Sequence, residues 1–211
     1  MTRDRAPLPF RPMPLARRRD PFDHPDWIFE PKVDGFRCVA YLERGRVRLV
    51  SRNAREFRSW PGLCDAVAKS VRATSAVLDG EVVCVDDDGR PNFRALLFRR
   101  AEPVYYVFDV MWLDGRDLRG RPLVERKLLL RRIVPRRRAD RLRYLDHVVG
   151  RGVDLFRAVC DFDMEGIVAK RRDGLYDPER TTWWKTKHVA YSQARDRWEL
   201  FERRTVSGRR C

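Results

Sequence analysis

Two apolar runs with acids set inside them constrain this chain more than any other feature. Residues 76–85 and 104–112 are rich in valine and aromatic side chains. The first is broken by Asp79-Gly80-Glu81 and the second by a single acid, Asp109. Their β-branched and aromatic content predicts buried strands. Charge beside such strands is costly unless it is paired or bound to a ligand or metal. The pattern recurs further on. Glu165 precedes the apolar stretch 166–169, which runs straight to Lys170, and Lys185 and Lys187 lie two apart in Trp183-Trp184-Lys185-Thr186-Lys187. A period of two puts both lysines on one face of a strand, where their ammonium groups repel unless a polyanion lies between them. Together the charged strand ends imply a triphosphate-sized site.

The remaining elements follow from local pattern. Order is expected to begin near Trp27-Ile28-Phe29. Residues 36–42 and 47–51 suit two strands joined by the turn Glu43-Arg44-Gly45-Arg46. Pro61 followed by Leu63, Ala66, Val67, Ser70 and Val71 has helical spacing, with proline in the first turn. Residues 93–98 suggest a short helix, 125–133 a basic amphipathic helix, 142–145 a strand and 153–160 a helix, while 183–187 alternates as a strand edge. Strands outnumber helices and mix with them irregularly, which predicts an α+β fold. Residues 1–20, rich in arginine and proline, are expected to run as a basic arm over the surface, with Met13 between Pro12 and Pro14 docking locally. The ordered domain is expected to span 21–190, and 191–211 to form a short basic tail with one more strand at 198–201. The arginine run 136–138 reads as a solvated loop.

The chain has 211 residues, and its 46 lysines and arginines against 31 acids give a net charge of +15. Such an excess points to a polyanionic partner, with nucleic acid as the default and binding that weakens steeply with salt. No apolar run approaches the ~20 residues that span a bilayer, and no apolar signal core opens the chain, so a cytoplasmic, nucleoid-associated protein without a membrane partner is expected. Cys38, Cys64, Cys84, Cys160 and Cys211 are scattered without a Cys-x-x-Cys pair and read as small hydrophobes. With only three histidines besides, no zinc set has ligand-like spacing. A metal here would be held by carboxylates, which favours magnesium or manganese.

The stretch Glu30-Pro31-Lys32-Val33-Asp34-Gly35-Phe36-Arg37 gives this chemistry a nucleophile. A lysine amine attacks only when deprotonated, which calls for neighbouring cations or desolvation. Gly35 would let backbone approach a sugar or phosphate, and Arg37 can fork onto oxygens. With its companions the stretch resembles the covalent nucleotidyltransferases, the family of ATP-dependent DNA ligases, RNA ligases and mRNA capping enzymes. Residues 32–37 look like the Lys-x-Asp-Gly-x-Arg nucleophile motif, Ser51-Arg52-Asn53 like the Ser-Arg element and Asp79-Gly80-Glu81 like the third motif. Val107-Phe108-Asp109 looks like the aromatic strand that follows, residues 165–170 like Glu-Gly-x-Val-x-Lys, and residues 183–187 like Trp-x-Lys-x-Lys. Order and spacing agree over residues 27–187, and the wording is most similar to bacterial end-joining DNA ligases.

The resemblance implies a nucleotidyltransferase (adenylation) domain with antiparallel sheets around a nucleotide cleft. It also implies a mechanism. Lys32 would attack the α-phosphate of ATP to form lysyl-AMP, AMP would pass to the 5′-phosphate of nicked or broken double-stranded DNA, and the 3′-hydroxyl would displace it. Lys185 and Lys187 would meet the α-phosphate, Arg37 and Glu81 the ribose, and Phe108 would stack on adenine, with Glu30 or nearby backbone reading its amino edge. Asp34, Gly35 and Lys170 complete the nucleotide-binding set. Glu165 and Glu81 would place Mg2+ or Mn2+, and Arg52 would bind the DNA 5′-phosphate. Complete ligases of this type carry an oligonucleotide-binding barrel after the last motif, and the 24 residues beyond Lys187 are too few for one. A partner protein supplying that barrel or recruiting the domain to DNA ends is one expectation. An RNA ligase or another nucleotidyltransferase, and a non-catalytic DNA-end-binding module with a retained pocket, are the alternatives.

Overall fold

A computed structural model describes residues 9–135 and 141–194. Along the chain, β1 (Ala16–Arg17), β2 (His24–Pro31), β3 (Phe36–Glu43) and β4 (Arg46–Ser51) precede α1 (Pro61–Ser70) and β5 (Ser75–Val83). Then come α2 (Phe93–Leu97), β6 (Val104–Leu113), β7 (Arg116–Asp117), α3 (Leu123–Ile133), β8 (Leu142–Tyr144) and β9 (Val148–Gly150). The series closes with α4 (Gly152–Asp161), β10 (Gly166–Arg171) and β11 (Trp183–Lys187). The arginine run 136–138, the start of the basic arm, Cys211 and the strand expected at 198–201 lie outside the described residues.

The strands form two sheets. One has the order β1-β11-β10-β2-β9, and the other the order β4-β3-β5-β6-β7 with β8 added parallel to β6. Period two decides which side chains meet. On β3, Cys38, Ala40 and Leu42 pack with Leu63 and Val67 of α1 and Leu130 of α3. Val39 and Tyr41 point the other way, into a core shared with Val168 and Trp183 of the first sheet. On β2 and β10, Trp27, Phe29, Ile167 and Ala169 pack against Val159 of α4. The alternate residues Glu30, Val168 and Lys170 therefore face the second sheet, and the candidate site lies between the two sheets.

The β3–β4 hairpin turns where expected, through Arg44 and Gly45 at φ 48° and 73°, the double positive φ of a type I′ turn. Part of the stretch expected to lie on the surface as an arm is built into the domain instead. Phe10 and Met13 are buried, their amides donate to Tyr41 Oη and Tyr176 Oη, and Ala16 and Arg17 pair in parallel with Trp184 and Lys185. Apolar burial and the unpaired rim of β11 outweigh the arm's local polarity. For the same reason β11, expected as a sheet edge, is covered by β1. The short strands β1, β7 and β9 carry too little periodicity to be read from sequence, whereas β8, also of three residues, falls within the strand expected at 142–145. Among the described residues no helix is long and apolar enough to cross a membrane.

Two glycines fix the strands that carry the site. A Cβ on Gly35 would lie 2.1 Å from the Val82 carbonyl oxygen, so this glycine seats the loop before β3 against β5. The packing against β5 is a reason for glycine here that the sequence pattern did not supply. Gly166 has φ +139°, and a Cβ there would stand 2.1 Å from the Thr186 carbonyl oxygen. Gly166→Ala thus combines backbone strain of ~1–3 kcal/mol with a clash against β11. The expected result is a loss of at least about 2 kcal/mol in chemical denaturation; a loss below about 0.5 kcal/mol would show that β10 and β11 tolerate separation there.

Candidate active site

The structure brings the charged strand ends together. Lys32, just past β2, places Nζ 2.5 Å from Glu165 Oε2, and Lys187 Nζ lies 3.0 Å from the other carboxylate oxygen. Glu165 is buried. Burial pushes its carboxyl up, but the charge and hydrogen bonds of Lys32 and Lys187 win and hold it below the usual range. Lys185 forms no salt bridge among the described residues. Partial burial and the nearby cations Lys32, Lys187 and Arg52 all depress its affinity for a proton. Glu165 opposes them but does not outweigh them, and cations held this close together are chemistry suited to an anion. Arg52 is exposed, immediately after β4.

Three carboxylates converge from another side. Glu81 lies opposite Arg37 in the β3–β5 register. Burial first, and then Glu165 and Asp34, push its carboxyl up to about 7 despite the pull of Lys32 and Arg37. Asp34 is buried and accepts a hydrogen bond from Tyr191 Oη at 3.4 Å. Burial and the Asp34 carboxylate in turn push the Tyr191 hydroxyl up. A carboxylate such as Glu81, whose proton affinity is raised in part by its acidic neighbours, offers donor chemistry that a hard divalent cation satisfies. Among the described residues no group of three or more His, Cys, Asp or Glu side chains is gathered closely enough to hold a metal ion by itself.

One cleft joins these groups to an aromatic and aliphatic wall: Phe108, Val168, Trp183 and Leu15 line it together with the charged Glu30, Lys32, Arg37, Glu81 and Lys170. Lys170 Nζ is 3.7 Å from the Trp183 ring centroid, 4.2 Å from that of Phe108 and 2.6 Å from Glu30 Oε2. The other Glu30 oxygen is held by Lys127 Nζ. Burial pushes the Glu30 carboxyl up, but the two lysines outweigh it and leave it below its usual range. Both oxygens of the residue expected to read a base's amino group thus already carry ammonium partners. Arg37, expected at a ribose, forks instead onto the buried Asp79 (Nε–Oδ1 2.7 Å, Nη2–Oδ2 2.6 Å) and lies 4.7 Å from the Phe108 centroid. Tyr176 Oη donates to the same Asp79 at 2.6 Å. Phe108 lines the cleft, with the cations of Arg37 and Lys170 against its ring.

Lys127, Tyr176 and Tyr191 are site-shaping residues that the motifs do not contain. A signal for Lys127 was present. The buried positions of α3 are Leu123, Arg126, Lys127, Leu130 and Ile133, so helical spacing puts two basic residues on the apolar face, where each demands an acid. Arg126 finds Asp109 and Lys127 finds Glu30.

A model of the family described as ATP dependent DNA ligase domain matches residues 19–187. This chain belongs to that family. Among curated relatives of the ligase-family domain, the multifunctional non-homologous end joining protein LigD of Pseudomonas aeruginosa is 35% identical over 165 residues, covering 75% of this chain and 20% of LigD. LigD of Mycobacterium tuberculosis is 34% identical over 166 residues, covering 77% of this chain and 22% of that protein. The chain thus spans about a fifth of the length of these relatives. Among solved structures, mycobacterial DNA ligase D complexed with ATP and MES superposes with a TM-score of 0.71 at 31% identity, covering 84% of this chain and 60% of that one. The ligase-family domain is therefore of the ligase nucleotidyltransferase class, an α+β fold with mainly antiparallel sheets.

Proposed function

We propose that this domain is the adenylation domain of an ATP-dependent DNA ligase and that Lys32 is its nucleophile. The observation that carries this is the cluster itself: Lys32 in contact with Glu165, with Lys185 and the exposed Lys187 beside it. Lys32 Nζ would form a P–N bond to the α-phosphate of ATP as the bond to the β-phosphate oxygen breaks and pyrophosphate leaves. Glu165, in contact with Nζ, is the group placed to take the amine proton. Lys185 and Lys187 would offset the charge that develops on the α-phosphate oxygens, so positioning and electrostatics supply most of the acceleration. AMP would then pass to the 5′-phosphate of nicked or broken double-stranded DNA, bound at Arg52, and the 3′-hydroxyl would displace it. Phe108, Trp183 and Lys170 would hold the base, and Arg37, kept in place by Asp79, would border the ribose.

Glu165 and Glu81, with Asp34 near them, would hold Mg2+ or Mn2+. That ion supplies compensation for triphosphate charge. The sealing steps also call on an oligonucleotide-binding barrel, whether in a longer form of the chain or in a partner protein. The domain assigned to this chemistry, expected over 21–190, also takes in Phe10, Met13 and β1 before that span and Tyr191 after it, and its setting would be the cytoplasmic nucleoid.

Intact-mass analysis after incubation with ATP and magnesium tests the reading. The protein is expected to gain one AMP, and added pyrophosphate is expected to remove it. Folded protein that starts free of AMP and gains none would sink the proposal that this domain self-adenylates.

A further inference from the structure

Helix α3 brings an ammonium group to the site that no motif contains. Glu30 is a single carboxylate set between two lysines, and all three side chains are at most 3% exposed. Lys127 is held on three sides: it donates to Glu30, to the Leu145 carbonyl oxygen at 3.2 Å and to that of Phe108 at 3.4 Å. The neighbouring acid Asp109 is satisfied by Arg126 through two contacts of 2.8 Å. Two cations against one anion leave an excess positive charge, and the member of the trio that lines the cleft with Glu30 is Lys170.

Resting on the reading that this cleft takes ATP, we infer that Lys127 is a positioning residue for nucleotide recognition. By occupying one oxygen of Glu30 it fixes that carboxylate and leaves Lys170 under-compensated, as the hydrogen-bond donor at the base end of the cleft. An ammonium group donates and never accepts, so it suits the acceptor ring nitrogens of a purine edge.

The charges facing Lys170 make the inference testable by pH. Glu30 faces it from β2, Lys127 from α3 and Asp109 from β6, while Arg37 of β3 shares the Phe108 and Trp183 rings with it. Tyr144 and His147 lie beyond Lys127. Burial pushes the tyrosine up, and burial with the lysines pulls the histidine down to about 4, so both are neutral at neutral pH. Burial and Lys127 pull Lys170 down to about 8 against the opposing effect of Glu30.

The experiment is ATP affinity from neutral to alkaline pH at fixed magnesium, measured in a Lys32→Ala background so that no adduct forms, for that parent and for the same protein carrying Lys127→Met or Lys127→Arg. In the parent, affinity is expected to fall as pH rises through about 8, where Lys170 loses its proton. Removing the neighbouring cation in Lys127→Met lets Lys170 keep that proton longer, so the fall moves up by about one pH unit, a tenfold change in proton affinity. Lys127→Arg keeps the charge and the parent profile. Weaker binding at every pH with an unmoved fall would reduce Lys127 to packing and overturn the inference. A parent that binds no ATP at any pH would instead overturn the reading of the cleft, and the inference with it. Should Lys127→Met not fold, NMR titration of lysine side chains in the parent, assigned with Lys170→Met, decides the matter. A lysine titrating near 8 supports the inference, and lysines that all titrate above about 10 overturn it.

Discussion

Replacing Lys32 by alanine abolishes capture of AMP and leaves the fold standing. A nucleophile has no substitute in a covalent mechanism, so adduct formation is expected to fall by at least ~10³-fold, below detection in an intact-mass measurement. The stability cost is bounded by what remains. Removing one partner of a buried ion pair costs ~3–5 kcal/mol when the survivor is left alone, but Glu165 keeps Lys187 at 3.0 Å. A loss of about 1–2 kcal/mol is therefore expected in thermal or chemical denaturation. Lys32→Arg separates the two roles, because it keeps a cation beside Glu165 but offers no amine that deprotonates. It should melt like the parent and still capture no AMP. An adduct in either variant would place the nucleophile elsewhere, and an unfolded Lys32→Ala would make the Lys32–Glu165 contact structural first.

The sequence made the long elements and the charged strand ends readable, because both follow from periodicity and from the cost of burying charge. Strand β6 is a β-branched and aromatic run interrupted only by Asp109, and Pro61 marks the first turn of α1. What it concealed was pairing. Nothing in the local pattern of Arg37 says that its fork will be taken by Asp79 from β5, or that Tyr176, 97 residues beyond Asp79, will close the same network. Those contacts depend on which faces of two sheets meet. Glu30 shows the same limit. It sits at the cleft, as its neighbourhood to Lys32 suggested, yet its two oxygens are claimed by lysines from α3 and β10. The arm was misread in part for a related reason: Met13 docks as expected, but Phe10 is an isolated apolar residue in a polar stretch, and an isolated position carries no period from which to infer burial.

Asp109→Ala is expected to be the most destabilising single change in the molecule. Asp109 and Arg126 are fully buried and meet in a bidentate pair with both contacts at 2.8 Å. Alanine would leave a guanidinium that cannot lose its proton, with the Arg121 and Gly174 carbonyl oxygens as its remaining partners at 2.5 and 3.0 Å. Breaking such a pair from one side costs about 3–5 kcal/mol, a shift of about 10 °C in melting temperature for a chain of this size. The double variant Asp109→Leu with Arg126→Met separates charge from packing. Apolar residues of similar volume commonly replace a buried ion pair at little cost, so the double variant should recover most of the lost stability. If it melts as low as the single variant, the loss came from packing and the charge argument is wrong. A double variant that recovers stability yet binds ATP poorly would assign the pair a different task. Arg126 adjoins Lys127 on α3 and Asp109 adjoins Phe108 on β6, so the pair would then serve to hold a helix and a strand in the register that Glu30 and Lys170 require.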